Sequence, residues 1–317
     1  MLTNYAVLVT GGAGFIGSHL VEKLLELGNK VTSYDNLDKY YLNKEKNTQH
    51  LAKNKLFKAV NADVLDDETL LNTMKGADLV FHLAAQPGVR FSMEHPTKTT
   101  RVNVLGTLSV LKAAKEAGVK RVIFASTSSV YGEAKFLPIN EEHPTEPISV
   151  YGASKLAAEK YCQIFNDQLG LPVVMLRYHT VYGPRQRPDM AFHKWTKSYF
   201  EHKPIIIYGD GTQGRDFTFI TDIVQGTLRA AEVENIDGEI FNLGGGSKVT
   251  VNEAVELLLK ELDHDTAQVI HESAKLGDVL YTHADIEKAR KMLNFNPTTK
   301  LEDGLKLYVE WYRKYCL

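Results

Sequence analysis

The sequence predicts an α/β fold, an open, doubly wound parallel sheet followed by a smaller mixed α/β part, and three observations predict it. Short apolar, β-branched runs recur along the first half and alternate with stretches of helical periodicity. The first of these runs ends in a glycine cluster that opens directly into a helix. The second ends in an acidic residue. Runs that are apolar throughout, rather than alternating, suit strands buried on both faces.

Taken in order, Ala6-Val7-Leu8-Val9-Thr10 is the first buried strand. Gly11-Gly12-Ala13-Gly14-Phe15-Ile16-Gly17 follows, then a periodic helical stretch over residues 18–25, which Gly28 stops. A second strand over residues 30–34 leads into Asp35, and further strands are expected at 56–60, 79–84 and 121–126. The glycines allow a tight turn and a close backbone approach to a pyrophosphate at the helix N-terminus. Asp35, about 20 residues further on, is placed to accept hydrogen bonds from an adenosine ribose. A carboxylate there also repels a 2′-phosphate, which favours NAD over NADP. Strand ends line the ligand crevice in such sheets. Asp63 at one end is positioned for an adenine amino group, and Ala84 and Ala85 at another leave room for a flat ring.

Further along stands Tyr151-Gly152-Ala153-Ser154-Lys155. Positions i and i+4 share a helix face, so a phenol and an ammonium project together. A free phenol loses its proton near pH ~10, and a neighbouring cation favours the phenolate. Tyr151 is therefore a candidate general base. A hydroxyl cluster, Ser126-Thr127-Ser128-Ser129, lies upstream.

The bulk properties exclude several classes. The chain has 317 residues, 44% hydrophobic and 24% charged, which suits one large or two modest globular domains. A net charge of −2 supplies no basic field for nucleic acid and no polybasic patch for a membrane surface. Cys162 and Cys316 form neither a disulfide framework nor a metal spacing, so no metal is expected and a reducing, cytoplasmic setting is. No signal-peptide pattern precedes the first strand, and no apolar run approaches the roughly 20 residues of a membrane span.

The motifs resemble those of the extended short-chain dehydrogenase/reductases, in particular the nucleotide-sugar epimerase/dehydratase group. The matches are Thr10 to Gly17, His82 to Ala85, Asn103-Val-Leu-Gly-Thr107, Ser126 to Gly132, Tyr151 to Lys155, Gly209-Asp-Gly211, Arg215-Asp-Phe217 and Asp222. They cover almost the whole chain in the family's order. The resemblance implies a Rossmann-type cofactor domain over residues 1–175, with a return crossing near 215–243, and a UDP-sugar domain over 176–317. It also implies tightly held NAD, with Gly11, Gly14, Phe15, Ile16 and Gly17 at the pyrophosphate. Asp35, Asn36, Asp63 and Val64 fall at the adenosine. Leu83, Ala84, Ala85, Gln86, Asn103, Ser126 and Tyr178 complete the cofactor set with Tyr151 and Lys155.

In the family's scheme Tyr151 takes the proton of a sugar 4-hydroxyl, Lys155 holds the cofactor ribose and lowers the phenol's pKa, and Thr127 hydrogen-bonds the same hydroxyl. Dehydratases of the group carry Asp-Glu just after that Thr, and decarboxylases a Glu. This chain has Ser128-Ser129 there, so simple 4-epimerisation is the expected outcome. Where the family often reads Arg-Tyr-Phe-Asn, the chain reads Arg177-Tyr178-His179-Thr180. The segment Arg187-Pro188-Asp189-Met190-Ala191 looks like the one in UDP-glucuronate 4-epimerases, where Arg187 and Thr180 would meet a sugar carboxylate. The expected substrate contacts are Pro87, Arg90, Thr127, Ser128, Thr180, Arg187, Arg215 and Asp278. Arg187 and Arg185 also fit solvated loop charges or a diphosphate. The open alternatives are a UDP-glucose or UDP-N-acetylglucosamine 4-epimerase and a non-catalytic NAD-binding module. Apolar faces on the helices near 97–117 and 149–169 suit a homodimer.

Overall fold

Side-chain parity along the strands sorts the interior into two layers. Val7 and Val9 of the first strand fall in one core and Leu8 in the other; Ile123 and Ala125 divide from Val122 and Phe124 in the same way. The structure, a computed structural model, describes residues 2–41, 43–246, 248–263, 267–275, 277 and 279–317. Its central sheet has seven parallel strands: β1 Ala6–Thr10, β2 Lys30–Asp35, β3 Phe57–Asn61, β4 Leu79–His82, β5 Arg121–Thr127, β6 Val173–Tyr178 and β7 Ile240–Leu243. They stand in the order β7-β6-β5-β4-β1-β2-β3. The order reverses between β1 and β4, which is where such sheets open a crevice.

The helix Phe15–Glu26 ends as the sequence predicts. Gly28 has φ +81°, its N–H donates to Leu25 O at 2.9 Å, and Asn29 N–H donates to Leu24 O at 3.1 Å, a Schellman closure. Two expectations needed revision. β4 stops at His82 rather than at residue 84, because the backbone N–H of Ala84 goes to the Thr10 side chain, Oγ1 at 3.3 Å, instead of to a strand carbonyl. The helix expected over 97–117 is Pro96–Thr100, a π-helical turn Arg101–Leu105 and Gly106–Glu116. The wide turn puts Asn103 inward at the end of β4.

Beyond β6 the chain forms three small two-stranded pairs: Thr180–Tyr182 with Phe217–Phe219, Ile205–Tyr208 with Val269–Glu272, and Gly214–Arg215 with Val249–Thr250. The helix Ile220–Glu232 returns to pack on Phe15–Glu26 and on the sheet, and β7 then pairs with β6 from Ile240 against Met175 to Leu243 against Tyr178. One apolar core runs from Val7 through Phe241 to Tyr312, so the C-terminal part is held to the sheet by shared burial.

Candidate active site

At the sheet's switch point the loop after β1 carries Gly11 at φ +70°. A Cβ on Gly17 would lie 2.1 Å from Gly11 O, so the helix start packs on the loop with no room for a side chain. The helix Phe15–Glu26 has no side-chain cap and no acidic residue in its first turn. Its first N–H groups therefore face the cleft with their positive end uncompensated, as a phosphate requires. Asp35 accepts from Ala13 N–H at 3.2 Å, Leu37 N–H at 2.9 Å and the Lys44 ammonium at 3.2 Å. Asp63 accepts from Asn36 Nδ2 at 2.8 Å and from Leu65 N–H at 2.9 Å. An uncapped helix start, a glycine cradle and two anchored carboxylates fit a dinucleotide.

His82, at the end of β4, is buried between Thr10 Oγ1 at 2.7 Å and Thr107 Oγ1 at 3.0 Å. Thr107 spends its own proton on Asn103 O at 2.6 Å. The ring must then carry its proton on Nε2 and accept on Nδ1. Burial, followed by the field of Lys155, drives its pKa down to about 3, so it joins β1 to β4 as a neutral group.

The helix Val150–Asp167 supplies the acid–base end. Ser149 Oγ caps it by accepting from Gly152 N–H at 3.1 Å, worth about 1 kcal/mol. Gly152 lets the helix start press on the hydroxyl turn, since a Cβ there would meet Ser129 O at 2.3 Å. Tyr151 and Lys155 both line the cleft. Burial pushes the Tyr151 phenol above its ordinary value, against the pull of Arg187 and of the Thr127 hydroxyl. Lys155 was the cation expected beside that phenol. In the structure its ammonium lies 4.2 Å from the centre of the Phe124 ring, and the cation acting on the phenol is the Arg187 guanidinium. Burial pulls Lys155 down to about 8, opposed by Cys162 and Glu159.

Glu159, one further turn along the same face, was not foreseen. It accepts from Ser126 Oγ and takes Arg177 by Nε at 3.0 Å and Nη2 at 2.7 Å. Arg177 Nη1 reaches Tyr131 OH at 2.9 Å, which donates to Asn242 Oδ1 at 2.7 Å. This hydrogen-bonded chain beneath the cleft holds the end of β5 to the helix and to β7. The i+8 spacing from Tyr151 was the available signal.

The cleft gathers the expected cofactor positions Gly11, Gly14, Phe15, Ile16, Gly17, Asp35, Asn36, Asp63, Val64, Leu83, Ala84, Ala85, Gln86, Ser126, Tyr151, Lys155 and Tyr178. Asn103 is the exception. Its side chain is consumed by Gln86 N–H at 2.7 Å, Gln86 O at 3.2 Å and Ser154 Oγ at 2.9 Å, so it shapes the wall from behind. Pro87 and Arg187 line the cleft, and so do Tyr40, Tyr41, Lys44 and Lys98, which sequence reasoning missed. Thr127 acts on it through Tyr151. Ser128 begins the turn Ser128–Val130, and Thr180 begins its half-buried short strand; neither is in the cleft wall. Arg90 stacks at 4.4 Å on the Tyr208 ring, and Arg215 donates to Gly214 O at 2.9 Å and Leu280 O at 3.2 Å. These two lie apart from the cofactor cleft, and Asp278 lies outside the described residues.

The loop before the helix Ala191–Phe200 is pinned by side chains. Arg185, at φ +63°, donates through Nη2 to Glu22 Oε2 at 2.6 Å. Arg187 grips Asp189 with Nε to Oδ1 at 2.9 Å and Nη2 to Oδ2 at 3.0 Å. Tyr40 OH donates to Asp189 Oδ2 at 3.1 Å.

A family model described as "NAD dependent epimerase/dehydratase family" matches residues 7–244. The chain is 41% identical over 308 residues to an uncharacterized UDP-glucose epimerase of Bacillus subtilis, covering 94% of this chain and 95% of that protein. It is 40% identical over 313 residues to a UDP-glucuronate 4-epimerase of Thermodesulfobacterium geofontis, covering 97% and 96%. Its fold matches the crystal structure of UDP-glucuronic acid 4-epimerase from Bacillus cereus in complex with UDP-glucuronic acid and NAD, with a TM-score of 0.93, 38% identity and coverage of 98% and 99%.

Proposed function

The chain belongs to the NAD-dependent epimerase/dehydratase family, and on that footing we propose that it interconverts UDP-glucuronate and UDP-galacturonate by 4-epimerisation. It is an NAD-dependent UDP-sugar 4-epimerase. NAD, held in the cleft, would supply the acceptor and donor of the C4 hydride, so that oxidation and reduction on opposite faces invert C4. Tyr151 removes the 4-hydroxyl proton and gives it back, and Thr127 orients that hydroxyl. Lys155 holds the cofactor ribose from the floor of the cleft. The glycine loop, Asp35 and Asp63 hold the dinucleotide. Arg215 and Asp278 are assigned to the diphosphate and uridine ribose, with Arg90, Pro87, Ser128 and Thr180 on the sugar side. Residues 1–175 with the return at 215–243 serve the cofactor, and 176–317 the UDP-sugar.

The observation that carries the reading is the company Tyr151 keeps. Arg187 is the cation beside the phenol, and the carboxylates lining the cleft, Asp35, Asp38 and Asp63, belong to the end of β2 and to the segments after β2 and β3. No acid follows Thr127 to expel water, which favours turning over and reduction of the keto sugar over dehydration. An Arg at the phenol suits a substrate with a carboxylate beside C4. The 4-keto acid so formed is prone to decarboxylate: the C5–C6 bond breaks, its electron pair becomes an enolate, and water supplies the proton. A fixed guanidinium holds the carboxylate out of the alignment that this cleavage needs.

Turnover of UDP-glucuronate, UDP-glucose and UDP-N-acetylglucosamine under identical conditions tests the reading. UDP-galacturonate should be the fastest product to accumulate, and Arg187→Ala should slow it and release UDP-pentose. A dehydrated keto sugar as the main product would overturn epimerisation. The second reading, a UDP-glucose 4-epimerase, is favoured by Asp189 already neutralising Arg187, and preference for UDP-glucose in the same panel would select it. We further assign the chain to the cytoplasm and to a homodimer. Among the described residues no helix is long and apolar enough to cross a membrane. Leu105, Tyr161 and Ile164 are 51%, 38% and 50% exposed on the helical segments facing the expected partner. Elution as a monomer on size exclusion would remove the dimer.

A further inference from the structure

We propose that Asp189, held by Tyr40, is the positioning residue that makes Arg187 a receptor for the sugar carboxylate. The inference rests on the Arg187 reading above and adds to it. A guanidinium has five N–H donors on two bidentate edges. Asp189 occupies one edge, Nε and Nη2, at 2.9 and 3.0 Å. Among the described residues no hydrogen bond engages Nη1, so the Nη1–Nη2 edge stays open on a side chain that lines the cleft. The fork is thus fixed in its plane by one carboxylate and offers its other edge to a second.

The support extends further out. Tyr40 OH donates to Asp189 Oδ2 at 3.1 Å across 149 residues of sequence, and its ring sits edge-on to Phe91 with centroids 5.0 Å apart. Burial works against the Asp189 carboxylate, yet Arg187 and the Tyr40 hydroxyl outweigh it and hold its pKa below the ordinary value. Asp189 therefore stays ionised and keeps its grip. The Arg187 side chain is 23% exposed, open enough to meet a ligand and enclosed enough for a charge-assisted pair to count. Without Asp189 the guanidinium would be a mobile cation on a loop. It would still attract a carboxylate but would not dictate its plane.

The experiment measures binding and product partition in the NAD-loaded protein. Asp189→Asn keeps the size and one acceptor but removes the charge and the symmetric grip. It should weaken UDP-glucuronate binding about tenfold, equivalent to ~1.4 kcal/mol, and raise the ratio of UDP-pentose to UDP-galacturonate, while affinity for UDP alone and the melting temperature stay at wild-type values. Tyr40→Phe, which keeps the ring, should move both readouts in the same direction by about threefold. The proposal is overturned if Arg187→Ala impairs UDP-glucuronate binding while Asp189→Asn and Tyr40→Phe leave affinity and partition unchanged. If Arg187→Ala itself leaves UDP-glucuronate binding intact, the carboxylate reading fails first and takes this one with it.

Discussion

The helix face that bears Tyr151, Lys155 and Glu159 and the loop that bears Arg185, Arg187 and Asp189 meet at one phenol but are built on opposite plans. The helix face is fixed on the strand ends that adjoin it, by one backbone contact and by buried side chains of those strands. It has a capped start, a glycine contact that excludes any side chain, and a strand end tied beneath it through Ser126 and Arg177. The loop is fixed by side chains reaching to Glu22 and Tyr40, far away in sequence. The first plan suits hydride and proton transfer, where small displacements are costly. The second suits substrate choice, because partners can be exchanged without moving a strand.

Tyr151→Phe should give the largest effect, a fall in turnover of about 10²- to 10⁴-fold with UDP-sugar binding retained by calorimetry. Near-wild-type turnover would remove the phenol from the chemistry and end the comparison. Glu159→Ala comes next. The Arg177 and Glu159 side chains are 4% and 1% exposed, and breaking a buried pair costs ~3–5 kcal/mol. Urea unfolding should show that loss, and a change below 1 kcal/mol would mean that the helix face is not held from beneath.

Acid should attack the sheet side before the loop. His82 has its pKa lowered to about 3 and His179 to about 4, both chiefly by burial. Between about pH 6.5 and those values the unfolded chain binds protons that the folded one refuses, so stability is present above that window and falls as pH drops through it. Replacing His82 with Gln should flatten this limb of a stability-against-pH curve. Smallest is Arg185→Gly. The substitution gives up a partly exposed ion pair worth at most about 1 kcal/mol and relieves a left-handed backbone costing a similar amount. The melting temperature should hardly move, and a large drop would show that the loop anchors the fold.

How much could be read in advance follows the same division. The glycine loop, Asp35, the strand-end alanines and Tyr151 with Lys155 were legible because each depends on local spacing within one strand–turn or one helix. Glu159 was equally local and was overlooked. Tyr40, Lys44 and Asp189 were not legible, since their partners stand across turns whose geometry no periodicity encodes. Asn103 was assigned to the cofactor set by its place in the cofactor-side helix, and the π-helical turn that spends its amide on Gln86 leaves no trace in residue types. Lys155 was assigned to the phenol on helix spacing and family resemblance, and the hold of the Phe124 face on its ammonium depends on tertiary packing.

The parity of β5 also limits how this chain can diverge. Phe124 under Lys155 and Ser126 beside Glu159 share one face, while Ala125 and Thr127 share the other. One residue inserted or deleted within the strand would exchange the faces of every side chain on one flank of the change and disconnect floor from hydroxyls. β5 can therefore drift by substitution but not in length. The stretch from Gly183 to Met190, crossed by no ladder, can also lengthen or shorten. Lineages that retain the redox centre should differ from one another by gaps in that stretch, and a library confined to it should recover altered sugar preference from otherwise unmodified protein.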